Sequence, residues 1–157
     1  MLFKNIRLID ENLSDKENMF VGVIDDKIQY IGNKMPENAA DFGRIYDGKN
    51  KILMNGLFNA HGHSPMTLLR GYAENLNLQD WLFNRIFPFE AKITNEDSYY
   101  ATTLAIAEMM ASGTVSVSDM YAHMDSNIRA YLDSGFKANV TNGLMAFDDT
   151  PFLENRN

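Results

Sequence analysis

The sequence predicts an α/β protein, and three observations carry that prediction. Residues 1 to about 55 read as short strands joined by polar turns. From Lys51 onward the pattern becomes strand, helix, strand, helix, strand, the order of parallel βα units. Caps and glycines punctuate the second part where such units require them.

Residues 2–9 form the first predicted strand. Residues 19–24 and 27–31 flank Asp25-Asp26 as a hairpin, with Gly32 closing it. A polar connection holding Pro36 leads to a short strand at 44–46 before the turn at Asp47-Gly48. So few strands cannot close a core alone and are expected to lean on other residues. Residues 52–60 make an apolar strand, interrupted at Asn55-Gly56, that ends at His61 and His63. A helical stretch over 78–87 carries Trp81, the single tryptophan, and is expected to stop at Pro88. Thr94 then reads as an N-cap, with Glu96 and Asp97 in the first turn of a helix running to Ser112. That helix carries Tyr100, Leu104, Ala107 and Ala111 on one face, and Gly113 closes it. Residues 115–120 are the next strand. Asp125 is the expected cap of a helix through Ser134, closed by Gly135, and 137–144 is the last strand. Three strands after Lys51 fall short of the roughly 200–250 residues of a closed (β/α)8 barrel. This leaves a small α/β domain of another kind, or the front part of a longer enzyme.

Composition narrows the function. A net charge of −7 without a Lys/Arg cluster argues against nucleic-acid binding. With no Cys, disulfides and Cys-based zinc sites are excluded, and a reducing cytoplasm is permitted. Charges interrupt the apolar residues of Met1-Leu2-Phe3-Lys4-Asn5-Ile6-Arg7, unlike a signal peptide, and no apolar stretch approaches the ~18–20 residues of a membrane span. A cytoplasmic protein, away from the membrane, is expected.

His61 and His63 are the most informative residues. A strand points residues i and i+2 to one side, roughly 7 Å apart along the backbone. Two imidazoles so placed can converge on one metal ion, with Gly62 between them leaving the approach open. The same spacing also arises as a surface pair with no ligand.

The run Asn59-Ala60-His61-Gly62-His63-Ser64-Pro65-Met66-Thr67-Leu68-Leu69-Arg70-Gly71 resembles the amidohydrolase superfamily. It looks most like the branch of S-adenosylhomocysteine/5-methylthioadenosine deaminases and triazine hydrolases. Similar family segments match Asn77-Leu78-Gln79-Asp80-Trp81-Leu82, Phe87-Pro88-Phe89-Glu90-Ala91-Lys92 and Ala107-Glu108-Met109. So do Ser112-Gly113-Thr114 and Ser118-Asp119-Met120-Tyr121. The resemblance covers essentially the whole chain. It implies that residues 1–52 belong to a small β-sandwich and residues 53–157 to the first part of a metal-dependent (β/α)8 barrel, about three βα units.

The resemblance also implies chemistry. His61 and His63 would bind a divalent metal, zinc first and iron as the alternative. The family completes that site with histidines from the fifth and sixth strands and an aspartate from the eighth. None of these falls in this sequence, so the chain is expected to be incomplete and to hold no catalytic acid or base of its own. Glu90 would accept hydrogen bonds from ribose hydroxyls; the plain alternative is a solvated glutamate near a helix start. Trp81 would wall the substrate pocket, or simply pack in the core. His123 would be a rim or substrate-side residue, and Asp119, ending the second strand on the catalytic face, would back the metal ligands or shape the loop without binding the metal itself. The implied reaction is hydrolysis of non-peptide C–N bonds, deamination of an adenosine-type or other N-heterocyclic small molecule by a metal-bound hydroxide. The alternative is a non-catalytic truncated module that associates through its open sheet, forming a homo-oligomer. Its ten Met, ten Phe and seven Tyr supply the apolar surface.

Three departures stand out. Gly62 replaces the family's usual threonine-like residue, and Asn55-Gly56 replaces Pro-Gly. Thr141-Asn142-Gly143-Leu144 lacks the deaminases' arginine, so a contact to a substrate carboxylate is in doubt.

Overall fold

The structure, a computed structural model, describes residues 1–143. The expected end of the last strand at Leu144, and the rest of the expected barrel portion, lie outside the described residues. Two compact units divide the chain, Met1–Asn55 and the part from Gly56 onward.

The first unit is one sheet. β1 (Leu2–Ile9) pairs antiparallel with β2 (Asp15–Ile24), which pairs antiparallel with β3 (Lys27–Gly32). On its other side β1 takes up β4 (Ile45–Asp47) and β5 (Ile52–Leu53) in parallel. The hairpin at Asp25-Asp26 forms as expected, and Asp25 takes φ +52°, a left-handed conformation that Asp tolerates. β2 starts four residues earlier than expected. Its first turn of sequence, Asp15-Lys16-Glu17-Asn18, is too charged to read as a strand, yet cross-strand pairs hold it: Arg7 Nε donates to Asp15 at 2.8 Å and Lys16 reaches Asp10 at 2.7 Å. Within the sheet Ile6, Leu8 and Val21 form a small buried cluster, with Phe3, Met19 and Leu53 packed against it.

The second unit is a parallel three-stranded sheet in the order β6 (Leu57–Gly62), β7 (Thr114–Tyr121), β8 (Lys137–Asn142). Between β6 and β7 the chain forms α1 (Leu78–Trp81), a π-helical turn at Leu82–Ile86, α2 (Phe87–Glu90) and α3 (Asn95–Ala111). α4 (Met124–Ser134) links β7 to β8. Ile106, Val117, Ala130 and Tyr131 form the core between sheet and helices.

Three expectations change here. The helical stretch does not stop at Pro88. The π turn moves the bond to an i→i+5 partner, Phe87 N–H to Leu82 O, so the missing proline N–H is absorbed by a wider turn. The cap of α4 is His123 at φ +54°, with Asp125 inside the first turn. The face of α3 holding Tyr100 and Leu104 is exposed, at 62% and 47%. Its buried face is Ser98, Ala101, Thr102, Ala105 and Ile106. That choice has a physical reason: Ser98 and Thr102 hydroxyls donate to the buried Asn127 Oδ1 of α4 at 2.6 and 3.2 Å, and small residues let the helices approach. The Thr94 cap is as expected, closed into a reciprocal capping box by Asp97.

Candidate metal and substrate site

β6 delivers His61 near its end, and His63 follows where the backbone leaves the strand for a 3-10 turn at Ser64–Leu69. The i, i+2 geometry brings the two rings together, with centroids 4.7 Å apart and planes at 84°. Their Nε2 atoms lie 3.1 Å from each other. Two nitrogens each about 2.0–2.1 Å from one zinc at a tetrahedral angle lie about 3.3 Å apart. The pair therefore fits two ligand positions on one ion. The other nitrogen of His63, Nδ1, lies 2.6 Å from the Met120 carbonyl. A carbonyl only accepts, so Nδ1 carries the proton and Nε2 keeps its lone pair. Among the described residues, no group of three or more His, Cys, Asp or Glu converges on a common point.

Gly62 has a different reason from the one expected. A Cβ there would stand 2.9 Å from Val117 Cγ2 and 3.6 Å from Asp119 Oδ1. Its missing side chain serves close packing of β6 on β7, on the face away from the two histidines.

The carboxyl end of β7 organises the neighbourhood. Asp119, 1% exposed, accepts from the Ser64 N–H at 2.9 Å and from the Tyr131 hydroxyl at 2.7 Å. Met120 supplies the carbonyl to His63. Tyr121 donates its hydroxyl to Glu90 Oε1 at 2.6 Å. Burial, then the Glu90 bond, pushes the Tyr121 phenol well above its ordinary pKa. Burial likewise raises Tyr131, with the Ser64 hydroxyl opposing and Asp119 adding to the effect.

His63, Trp81 and Glu90 line one cleft of about 470 Å³, with Met66, Ile86 and Asn142 among its other walls. His61 stands beside it, against His63. His123 is elsewhere in its contacts: its Nδ1 lies 2.8 Å from Asn95 Oδ1 at the start of α3. Sequence reading missed Tyr121, Tyr131 and the Met120 carbonyl. A carbonyl has no sequence signal, and Tyr131 lies 67 positions from Ser64, whose hydroxyl it meets at 2.8 Å. The acid inside the apolar strand Ser118-Asp119-Met120-Tyr121 is the one clue the sequence held.

Comparisons with known proteins follow the same lines. Residues 52–156 match the family model described as "Amidohydrolase family". The chain is 45% identical over 144 residues to a 5-methylthioadenosine/S-adenosylhomocysteine deaminase of Acetivibrio thermocellus, covering 89% of this chain and 33% of that protein. It is 43% identical over 140 residues to a 5'-deoxyadenosine deaminase of Methanosarcina barkeri, covering 89% and 32%. The chain thus spans about a third of the length of these curated relatives. An adenosine deaminase from Xanthomonas campestris with bound zinc superposes at TM-score 0.71 and 33% identity, over 87% of this chain and 32% of that one. Atrazine chlorohydrolase TrzN from Arthrobacter aurescens TC1, complexed with zinc, superposes at TM-score 0.81 over 94% and 36%; at 19% identity it shows the fold alone. The described residues hold a small sheet followed by two βα units and a third parallel strand, in agreement with the α/β class expected for the front part of such a barrel. With two-thirds of its residues under the family model, the chain belongs to the amidohydrolase family.

Proposed function

We propose that this chain contributes two metal-holding imidazoles and a sugar-facing carboxylate to the hydrolytic deamination of an adenosine-type nucleoside or a related N-heterocycle. Residues 1–52 are read as part of a small β-sandwich, residues 53–157 as the opening of the barrel, and the cytoplasm as its location. The observation that carries the reading is the 3.1 Å approach of the two Nε2 atoms beside the cleft that holds Glu90. The zinc in the Xanthomonas structure supports zinc, with iron as the alternative. When bound, a divalent ion lowers the pKa of water toward neutrality and so supplies a nucleophile.

The chain's own groups have distinct tasks. His61 and His63 would hold the ion through Nε2, and the Met120 carbonyl fixes the His63 tautomer. Tyr121 occupies Glu90 Oε1, which leaves Oε2 to accept from vicinal hydroxyls. Trp81 offers an apolar wall. Among the described residues lining this cleft, Glu90 is the one carboxylate and there is no Lys or Arg. Asn142 stands there without charge. A neutral nucleoside therefore suits this described lining better than a phosphate monoester or a free carboxylate.

The single tryptophan makes the test direct. Titrating the chain with 5-methylthioadenosine should quench Trp81 fluorescence, and Glu90→Gln should weaken the binding by about 10-fold, the loss of a charge-assisted hydrogen bond. No quenching, or equal quenching with the variant, refutes the assignment of Glu90. Two imidazoles hold metal more weakly than the usual three or four ligands, so the isolated chain should release no measurable ammonia from that nucleoside.

A second reading rests on Phe58, 74% exposed, and Leu57, 53% exposed, both on β6. Exposed apolar side chains on β6, an edge strand among the described residues, favour association of the sheet with another copy. Size-exclusion chromatography separates the two: a stable dimer that leaves the Trp81 cleft unresponsive to nucleoside favours the module.

A further inference from the structure

We infer that Asp119 is a positioning residue for His63, acting through the Ser64 amide and held in turn by Tyr131; this rests on the metal reading of the histidine pair. The anchoring is geometric. Asp119 Oδ1 accepts the amide N–H of the residue that follows His63, at 2.9 Å. Its Oδ2 accepts from Tyr131, whose hydroxyl also meets Ser64 Oγ at 2.8 Å. Asp119, Tyr131 and Ser64 thus form a closed triangle, 1%, 4% and 5% exposed.

One residue along β7, the Met120 carbonyl takes the Nδ1–H of His63. Asp119 and Met120 therefore grip two consecutive residues, one by its backbone amide and the other by its ring. Releasing the Ser64 amide frees the backbone that sets the distance from His63 to Met120. The ring then loses the bond that keeps Nε2 unprotonated and aimed at His61.

The choice of residue supports a role beyond packing. A carboxylate buried this deeply is costly, and its two donors here are an amide and a phenol, neither of them a cation. An apolar residue would fill the strand with less cost. A polar planar group here can hold the turn after His63 in one place, because it bonds the Ser64 amide and the Tyr131 hydroxyl at once.

The test uses the whole chain and zinc ion alone as the probe. Asp119→Ala should weaken zinc binding by about 10–100-fold, the range for groups that orient a ligand. Asp119→Asn can still accept from Ser64 and donate to Tyr131, so it should restore affinity to near wild type. Tyr131→Phe, which removes one oxygen and is the milder change, should fall between them. In the metal-free chain, long-range imidazole ¹⁵N spectra should show His63 protonated at Nδ1 in the wild type and the Asn variant, and a tautomer mixture in the Ala variant. Should Asp119→Ala or Tyr131→Phe keep wild-type amide dispersion, zinc affinity and His63 tautomer, the inference is overturned. A wild-type chain that binds no zinc would remove the metal reading instead, and the tautomer spectra would still decide the positioning role.

Discussion

Tyr121 and Tyr131 make the chain's stability fall steeply in alkali, and the size of that fall follows from where they sit. Both phenols are buried, 8% and 4% exposed, and each donates to a carboxylate, Glu90 or Asp119. Each is raised well above its ordinary pKa, first by burial and then by its partners. An unfolded tyrosine ionises near pH 10. Below that pH both states keep the proton and the full stability is present. Above it the unfolded chain releases protons that the folded chain retains, so stability is lost as pH rises. Between pH 9 and pH 11 the linkage amounts to at most about 1.4 kcal/mol for each phenol and about 2.7 kcal/mol for both. Solvent relaxation around the phenol ends lowers the expected loss to about 1.5–2 kcal/mol. Urea unfolding followed by Trp81 fluorescence, at pH 8 to 11, measures it in the wild type and in the Tyr121→Phe/Tyr131→Phe double variant. Other titrating groups contribute equally to both chains and cancel. The double variant should lose about 1.5–2 kcal/mol less than the wild type over that interval. Equal slopes would refute the reasoning, because the two phenols would then ionise as freely in the fold as outside it.

Further outcomes are expected from the fold. Thr94→Ala removes the cap that holds the start of α3 and should cost about 1 kcal/mol by urea unfolding; no change would mean that the capping box is idle. Ile106→Ala opens a hole between α3 and β7 and should cost about 2–5 kcal/mol by the same measurement. An effect below about 1 kcal/mol would place Ile106 outside the core.

What could be read beforehand depended on how local the cause was. The Asp25-Asp26 hairpin, the Thr94 cap and the Gly135 closure each follow from a few adjacent residues, and each is where it was expected. Pro88 misled because its usual effect can be absorbed by the π turn before it, which depends on backbone geometry. The buried face of α3 misled for a related reason. Asn127, on another helix, makes Ser98 and Thr102 the better inward residues, although Tyr100 and Leu104 are far more apolar. At the site, the approach of His61 and His63 was legible because a strand's alternation needs only two positions. The fixing of His63 was not, since its partners are a carbonyl 57 positions away and an amide held by a side chain 55 positions away.

The most direct measurement is an imidazole ¹⁵N titration of the chain with zinc ion. The account expects Nε2 of His61 and of His63 to shift together at one stoichiometry, while Nδ1 of His63 stays protonated against Met120. Shifts at one ring alone, at His123, or at Nδ1 of His63 would contradict it.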